Sequence, residues 1–119
     1  MLASDNRLTS SAEFKKITHR GARVSTKSLA GYALTDTTLT APKIGFIVSR
    51  VIGGSVARHR VVRQLRHLSR ENLHLLPDDS MVVVRAIENT FDYSHDTKSL
   101  FEKLAQRLSE RKPAHVGTP

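Results

Sequence analysis

Apolar positions along this chain follow a three-to-four spacing in some stretches and a two-residue or continuous spacing in others, and the switches mark six elements. Ser10 and Glu13 have the spacing of a capping box, in which hydroxyl and carboxylate satisfy free backbone donors, so a helix is predicted from about Ser11 to Arg20. Phe14 and Ile17 share one of its faces. Gly21, after Lys15, Lys16, His19 and Arg20, is expected to end it in the left-handed conformation, with cations near the negative helix end. Two strands follow, from about Ser28 to Leu34 and from about Lys43 to Ser49, separated by the polar stretch Thr35 to Thr40 and by Pro42. They are expected to pair antiparallel. In the second, Ile44, Phe46 and Val48 alternate with Gly45, Ile47 and Ser49, so one side buries an apolar row.

Gly53 and Gly54 suit a tight turn, after which Ser55 is expected to cap a helix running to about Leu75, where Pro77, Asp78 and Asp79 end it. At about 100° per residue, Ala57, Val61, Leu65 and Leu68 fall on one flank, while Arg60, Arg63, Arg66 and Arg70 gather on another. The run Met81 to Val84 predicts a buried inner strand reaching Ile87, and a helical crossover from the Lys43 strand would make a βαβ unit. Ser94 is expected to cap a last helix to about Glu110, with Leu100, Phe101, Leu104 and Leu108 spaced for burial. The order α-β-β-α-β-α defines a single α+β domain, an α/β sandwich, over residues 1–110, followed by a flexible tail at 111–119.

Charge sharpens this picture. The 119 residues carry 19 Lys+Arg against 11 Asp+Glu, a formal net charge of +8, which favours polyanionic partners. From Arg50 to Arg70 there are six arginines (Arg50, Arg58, Arg60, Arg63, Arg66 and Arg70) and no Asp, Glu or Lys. A merely solvated face would intersperse Glu. Here Arg63/Arg66 and Arg66/Arg70 are helical neighbours that repel by a few tenths of a kcal/mol each, roughly, a cost that a bound polyanion relieves. Planar guanidinium groups fork onto phosphate and stack on exposed bases, which suits folded or single-stranded RNA, and Phe14 and Tyr32 can add stacking surface.

Other chemistry is poorly supplied. With no cysteine, a disulfide, a thiolate zinc site and a thiol nucleophile are excluded. The six histidines show no ligand spacing, and the acidic residues fall mostly in caps and turns, so neither a protein-held catalytic metal nor a carboxylate pair is expected. Gly53 and Gly54 lack the Lys-Ser/Thr of a nucleotide-triphosphate loop; the helix start at Ser55 could instead offer backbone donors to a phosphate or hydrated metal on a partner. Met1 to Leu8 contains no apolar signal segment, and no apolar run nears the roughly 20 residues that span a bilayer, which points to a soluble cytoplasmic protein without a membrane partner.

The segment from Ser49 to Arg66, with Arg58-x-Arg60-x-x-Arg63-x-x-Arg66 at its centre, resembles the signature of the bacterial ribonuclease P protein component. Asn6-Arg7-Leu8 followed by Phe14, Tyr32 in the first strand and the final amphipathic helix extend the resemblance over roughly Asn6 to Leu108. It implies a fold similar to the second domain of ribosomal protein S5, with a left-handed βαβ crossover where the general rule is right-handed. It further implies a protein subunit that assists endonucleolytic removal of the 5′ leader from precursor tRNA. The catalytic centre and its Mg2+ ions would then lie in the RNA subunit and substrate, in a 1:1 ribonucleoprotein with a monomeric protein.

By that resemblance Arg60, Arg63 and Arg70 would contact the catalytic RNA, with Arg50 and His59 in the same RNA-binding set. Arg58 and Arg66, turned toward the sheet, would border a leader cleft lined by Phe14 and Tyr32. The chain departs from the family pattern at Gly54 and His59, where Asn is common, at Val62, where a basic residue is common, and at Thr18, where an aromatic is frequent. Gly54 removes any side-chain amide role at its position. The competing readings are a ribosomal-type or other nucleic-acid-binding module without a processing role, and a standalone nuclease. A helix-turn-helix reader would need a short helix where Lys43 to Ser49 predicts a strand.

Overall fold

The structure, a computed structural model, describes residues 6–8 and 10–116, the side chains of 111–116 excepted. Its elements are α1 (Ser11–Arg20), β1 (Ala22–Ser25), β2 (Leu29–Thr35), β3 (Lys43–Ile47), α2 (Ser55–Asn72) with a 3-10 turn at Leu73–Leu75, β4 (Ser80–Ala86) and α3 (Ser94–Val116). The strands form one sheet in the order β1-β2-β4-β3.

The expected pairing of the Ser28 and Lys43 strands is corrected. β4 lies between them, antiparallel to β2 and parallel to β3. The reason is in its composition: Met81, Val82, Val83 and Val84 are buried on both faces, so β4 takes an inner position with a partner on each edge. The order also gains a strand, β1, and becomes α-β-β-β-α-β-α. β1 has only four residues and pairs with β2 alone, so its pattern is too short to register as a period. The βαβ unit expected from β3 through α2 to β4 is present, joining adjacent parallel strands.

Alternation along the strands divides the core in two. Leu29, Ala33, Ile44, Val82 and Val84 face α2 and α3, where they meet Val61, Leu65, Leu100 and Leu104. Met81 and Val83 face the other way and pack with Leu8 and Ile17, beside Phe14 and Tyr32. The sheet is thus covered by α1 on one face and by α2 and α3 on the other.

Helix boundaries follow local chemistry. Ser10 caps α1 as expected, its hydroxyl accepting from the Glu13 N–H at 3.4 Å. Gly21 ends α1 in an extended conformation (φ −74°), which corrects the left-handed stop. Glycine is needed there for space, since a Cβ would lie 2.5 Å from the Ile17 carbonyl oxygen and 2.8 Å from that of Ala33. The left-handed turn is instead at Gly53, with φ +147°. Gly54, not Ser55, is the N-cap of α2 and offers no side-chain bond; Ser55 is the first helical residue. Ser94 is likewise the first residue of α3, and Asp92 accepts its N–H at 2.8 Å. α3 passes the Glu110 boundary expected for it; the rest of the expected tail, 117–119, lies outside the described residues.

α3 is tied to the sheet through Asp96, whose Oδ2 accepts both the hydroxyl and the N–H of Ser28, the latter at 3.0 Å. The Ser28 hydroxyl contributes most to holding the Asp96 carboxyl below its ordinary value of 3.8, and partial burial opposes the shift. A carboxylate whose pKa is depressed by folding stabilises the native state above its unfolded pKa, and that contribution is lost as pH falls through the folded value. Denaturant melts at pH 6 and pH 3 are therefore expected to show a larger loss of stability in the wild type than in Asp96→Asn. Equal losses would show that Asp96 contributes nothing to the acid limb.

Candidate nucleic-acid interface

The rotation of α2 about its axis decides which cations reach solvent. Val61, Leu65 and Leu68 are buried against the sheet, each stabilising by about 1.5–3 kcal/mol, and they fix that rotation. Arg60, Arg63 and Arg70 then point outward and are exposed, as is His59; Arg58 and Arg66 are half-buried along the flanks. Arg50 is exposed in the turn before the helix. Arg60, Arg63 and Arg70 are thus the more exposed of the helix arginines, and Arg58 and Arg66 the less exposed.

The described residues do not neutralise these charges. Among the described residues, none of the six arginines forms an ion pair; the ion pair on α2 is His67 with Glu71 at 3.5 Å, one to two turns beyond Arg63 on the same solvent-facing side. The first turn of α2 contains no acidic residue. Among the described residues, Arg60 alone of the six has a polar partner, donating from Nη2 to Asn89 Oδ1 at 3.3 Å, and its guanidinium lies 5.9 Å from the centre of the Phe91 ring. Arg58 keeps a buried Nε with no hydrogen-bond partner.

Beside the cationic face runs a groove along the free edge of β3. A cavity of about 310 Å³ has Ile44, Gly45 and Phe46 as its floor, Arg7, Leu8 and Phe14 as one wall, and Val62 and Arg66 as the other. A second hollow of about 380 Å³, lined by His59, Val62, Arg63 and Arg66, adjoins it across Val62 and Arg66. The N-terminal segment closes part of the edge, the Leu8 N–H donating to the Ile44 carbonyl at 2.9 Å. Phe14 lies so close to the sheet that a Cβ on Gly45 would come 2.2 Å from its Cζ. An apolar floor, an aromatic ring and a guanidinium rim together suit an extended chain of flat rings joined by anionic links.

The structure brings Phe14 and Arg66 into this groove. It does not bring Tyr32 or Arg58 into the lining. Tyr32, on β2, shares the α1 side of the sheet but is separated from β3 by β4, and its ring lies 5.9 Å from the Arg23 guanidinium. Sequence reasoning missed Phe46 and Val62 as groove residues: Phe46 falls in the apolar row of its strand, and Val62 stands out only as a departure from the family pattern. Gly54 is exposed, and no atom lies within 4 Å of where its Cβ would be, so space does not explain the missing side chain. Among the described residues, no three His, Asp or Glu side chains converge as a metal site, and no helix is long and apolar enough to cross a membrane.

Fold and site together define a small α+β domain that presents an arginine helix beside a groove at a sheet edge. The family model described as Ribonuclease P matches residues 2–110. The ribonuclease P protein component of Acidothermus cellulolyticus is 37% identical over 114 residues, covering 94% of this chain and 95% of its own length; that of Streptomyces griseus is 38% identical over 103 residues, covering 80% and 84%. Among solved structures, the RNase P protein from Thermotoga maritima superposes with a TM-score of 0.64 at 20% identity, covering 87% of this chain and 96% of that one. The Staphylococcus aureus RNase P protein gives 0.63 at 18%, with 90% and 94% covered. The chain belongs to the ribonuclease P protein family.

The Phe14–Gly45 contact yields a direct test of the groove. Gly45→Ala is expected to displace the Phe14 ring and cost about 1–3 kcal/mol through overpacking. The readouts are chemical denaturation and the ring's NMR shifts. An unshifted ring with unchanged stability would contradict the packing described.

Proposed function

We propose that this chain is the protein subunit of a ribonuclease P, binding the catalytic RNA and the 5′ leader of precursor tRNA so that the leader is removed to give the mature tRNA 5′ end. The observation that carries this reading is the array of guanidinium groups on α2, none of them in an ion pair among the described residues, beside an aromatic-walled groove. Arg60, Arg63 and Arg70 meet phosphates of the catalytic RNA; Arg66 and Phe14 hold the single-stranded leader, with Arg58 and Tyr32 at its margins. Cleavage is left to the RNA, which with its substrate holds the Mg2+ ions, and the described residues supply no cluster that would hold one. The protein's part is to raise substrate affinity and to reduce phosphate repulsion near those ions. The reading is of a monomer in a 1:1 particle in the cytoplasm.

Titration with the catalytic RNA across a salt series tests this. Neutralising about four phosphates predicts a slope of log affinity against log salt near about −3 by the single-strand rule, and Arg60→Ala or Arg63→Ala is expected to weaken binding by about tenfold while making the slope shallower by about 0.7. An affinity independent of salt would remove the electrostatic basis of the proposal. Phe14→Ala is expected to weaken precursor tRNA but not mature tRNA; equal effects on both would contradict the leader assignment.

A further inference from the structure

The loop between β4 and α3 holds an aromatic residue that the fold does not use. Phe91 is 88% exposed, although the same loop buries Tyr93 completely. The loop is firmly held. The Tyr93 hydroxyl donates to the Glu88 carbonyl at 2.7 Å and accepts the Thr90 N–H at 3.3 Å. Gln64, on α2, brackets Asp92 just after Phe91: its Nε2 donates to the Phe91 carbonyl at 3.1 Å and its Oε1 accepts the Tyr93 N–H at 2.7 Å. Asn89 links the loop to the turn before α2, donating to the Ile52 carbonyl at 3.1 Å, and to α2 itself by accepting from Arg60.

The outcome is a phenyl ring displayed on a fixed backbone, with the Arg60 guanidinium 5.9 Å from its centre and the rest of its surface in solvent. Arg60 shares one donor with Asn89, which leaves others of its five N–H groups free for an anion. Val56, 84% exposed, lies one turn before Arg60 and extends the apolar surface on that side. An aromatic face whose immediate neighbour is a cation suits one occupant best: an unstacked base whose own phosphate lies within reach of the guanidinium.

We infer that Phe91, with Arg60 and Asn89, forms a stacking platform for an unpaired nucleotide of the RNA subunit, at a place on the surface separate from the β3 groove. The inference rests on the RNA-subunit reading above. Holding the ring in place beforehand removes the entropic cost of ordering it on binding.

The chain has no tryptophan, so Phe91→Trp introduces a single reporter. Titrating it with a ribonuclease P RNA transcript is expected to quench its fluorescence in step with binding measured separately by filter retention. Phe91→Ala is expected to lose about 5- to 100-fold in affinity. Phe91→Leu should lose nearly as much despite its apolar bulk, and the thermal melts of all variants should match the wild type because the ring is exposed. Normal binding by Phe91→Ala with no quenching of Phe91→Trp would overturn the platform and leave the RNA-subunit reading intact. Failure of the wild type to bind the transcript would overturn both. A concentration-dependent dimer abolished by Phe91→Ala, with RNA affinity unchanged, would assign the ring to a contact between copies and overturn the inference.

Discussion

The anchoring of α2 by Val61, Leu65 and Leu68 is the constraint on which the rest depends. Those side chains fill the space over Ile44, Val82 and Val84, and a helix seated on them has one rotational setting. That setting turns Arg60, Arg63 and Arg70 to solvent and holds Arg58 and Arg66 along the flanks. Because no carboxylate within the described residues neutralises these six arginines, folding concentrates repulsion that only an outside polyanion relieves. The helix is both core element and proposed interface.

The second determinant is the place of β4. As the most apolar strand it occupies an inner position, and β3 is left with a free edge next to α2. The groove exists because of that edge. The described part of the N-terminal segment pairs with β3 around Ile44, and α1 drops Phe14 onto Gly45, where the sheet has no side chain to exclude it.

Much of this was legible in the sequence. The amphipathic period of α2 fixed its buried flank and its cationic face before any coordinates, and the capping box marked the start of α1 to the residue. Strand order was not legible, because alternation states which face a residue takes but not which strand lies beside it. β1 was too short to show a period, and Gly21 resembled a left-handed stop although its role is to clear two carbonyl oxygens. At the site, Phe14 and Arg66 were readable as groove residues from the family resemblance. Tyr32 was expected with them, but β4 stands between it and β3. Phe91 was missed altogether, and the available signal was a lone phenyl ring in the polar stretch Glu88-Asn89-Thr90-Phe91-Asp92.

The division of labour proposed here, cationic side chains on the protein and bond cleavage on the RNA, is tested most directly by reconstitution. Precursor tRNA is incubated at low magnesium with the purified chain, with the RNA subunit, and with both. The account predicts an intact substrate with the chain alone, slow cleavage with the RNA alone, and a markedly faster release of the leader with the two together. Cleavage by the chain alone, or an RNA rate that the chain leaves unchanged, would contradict it.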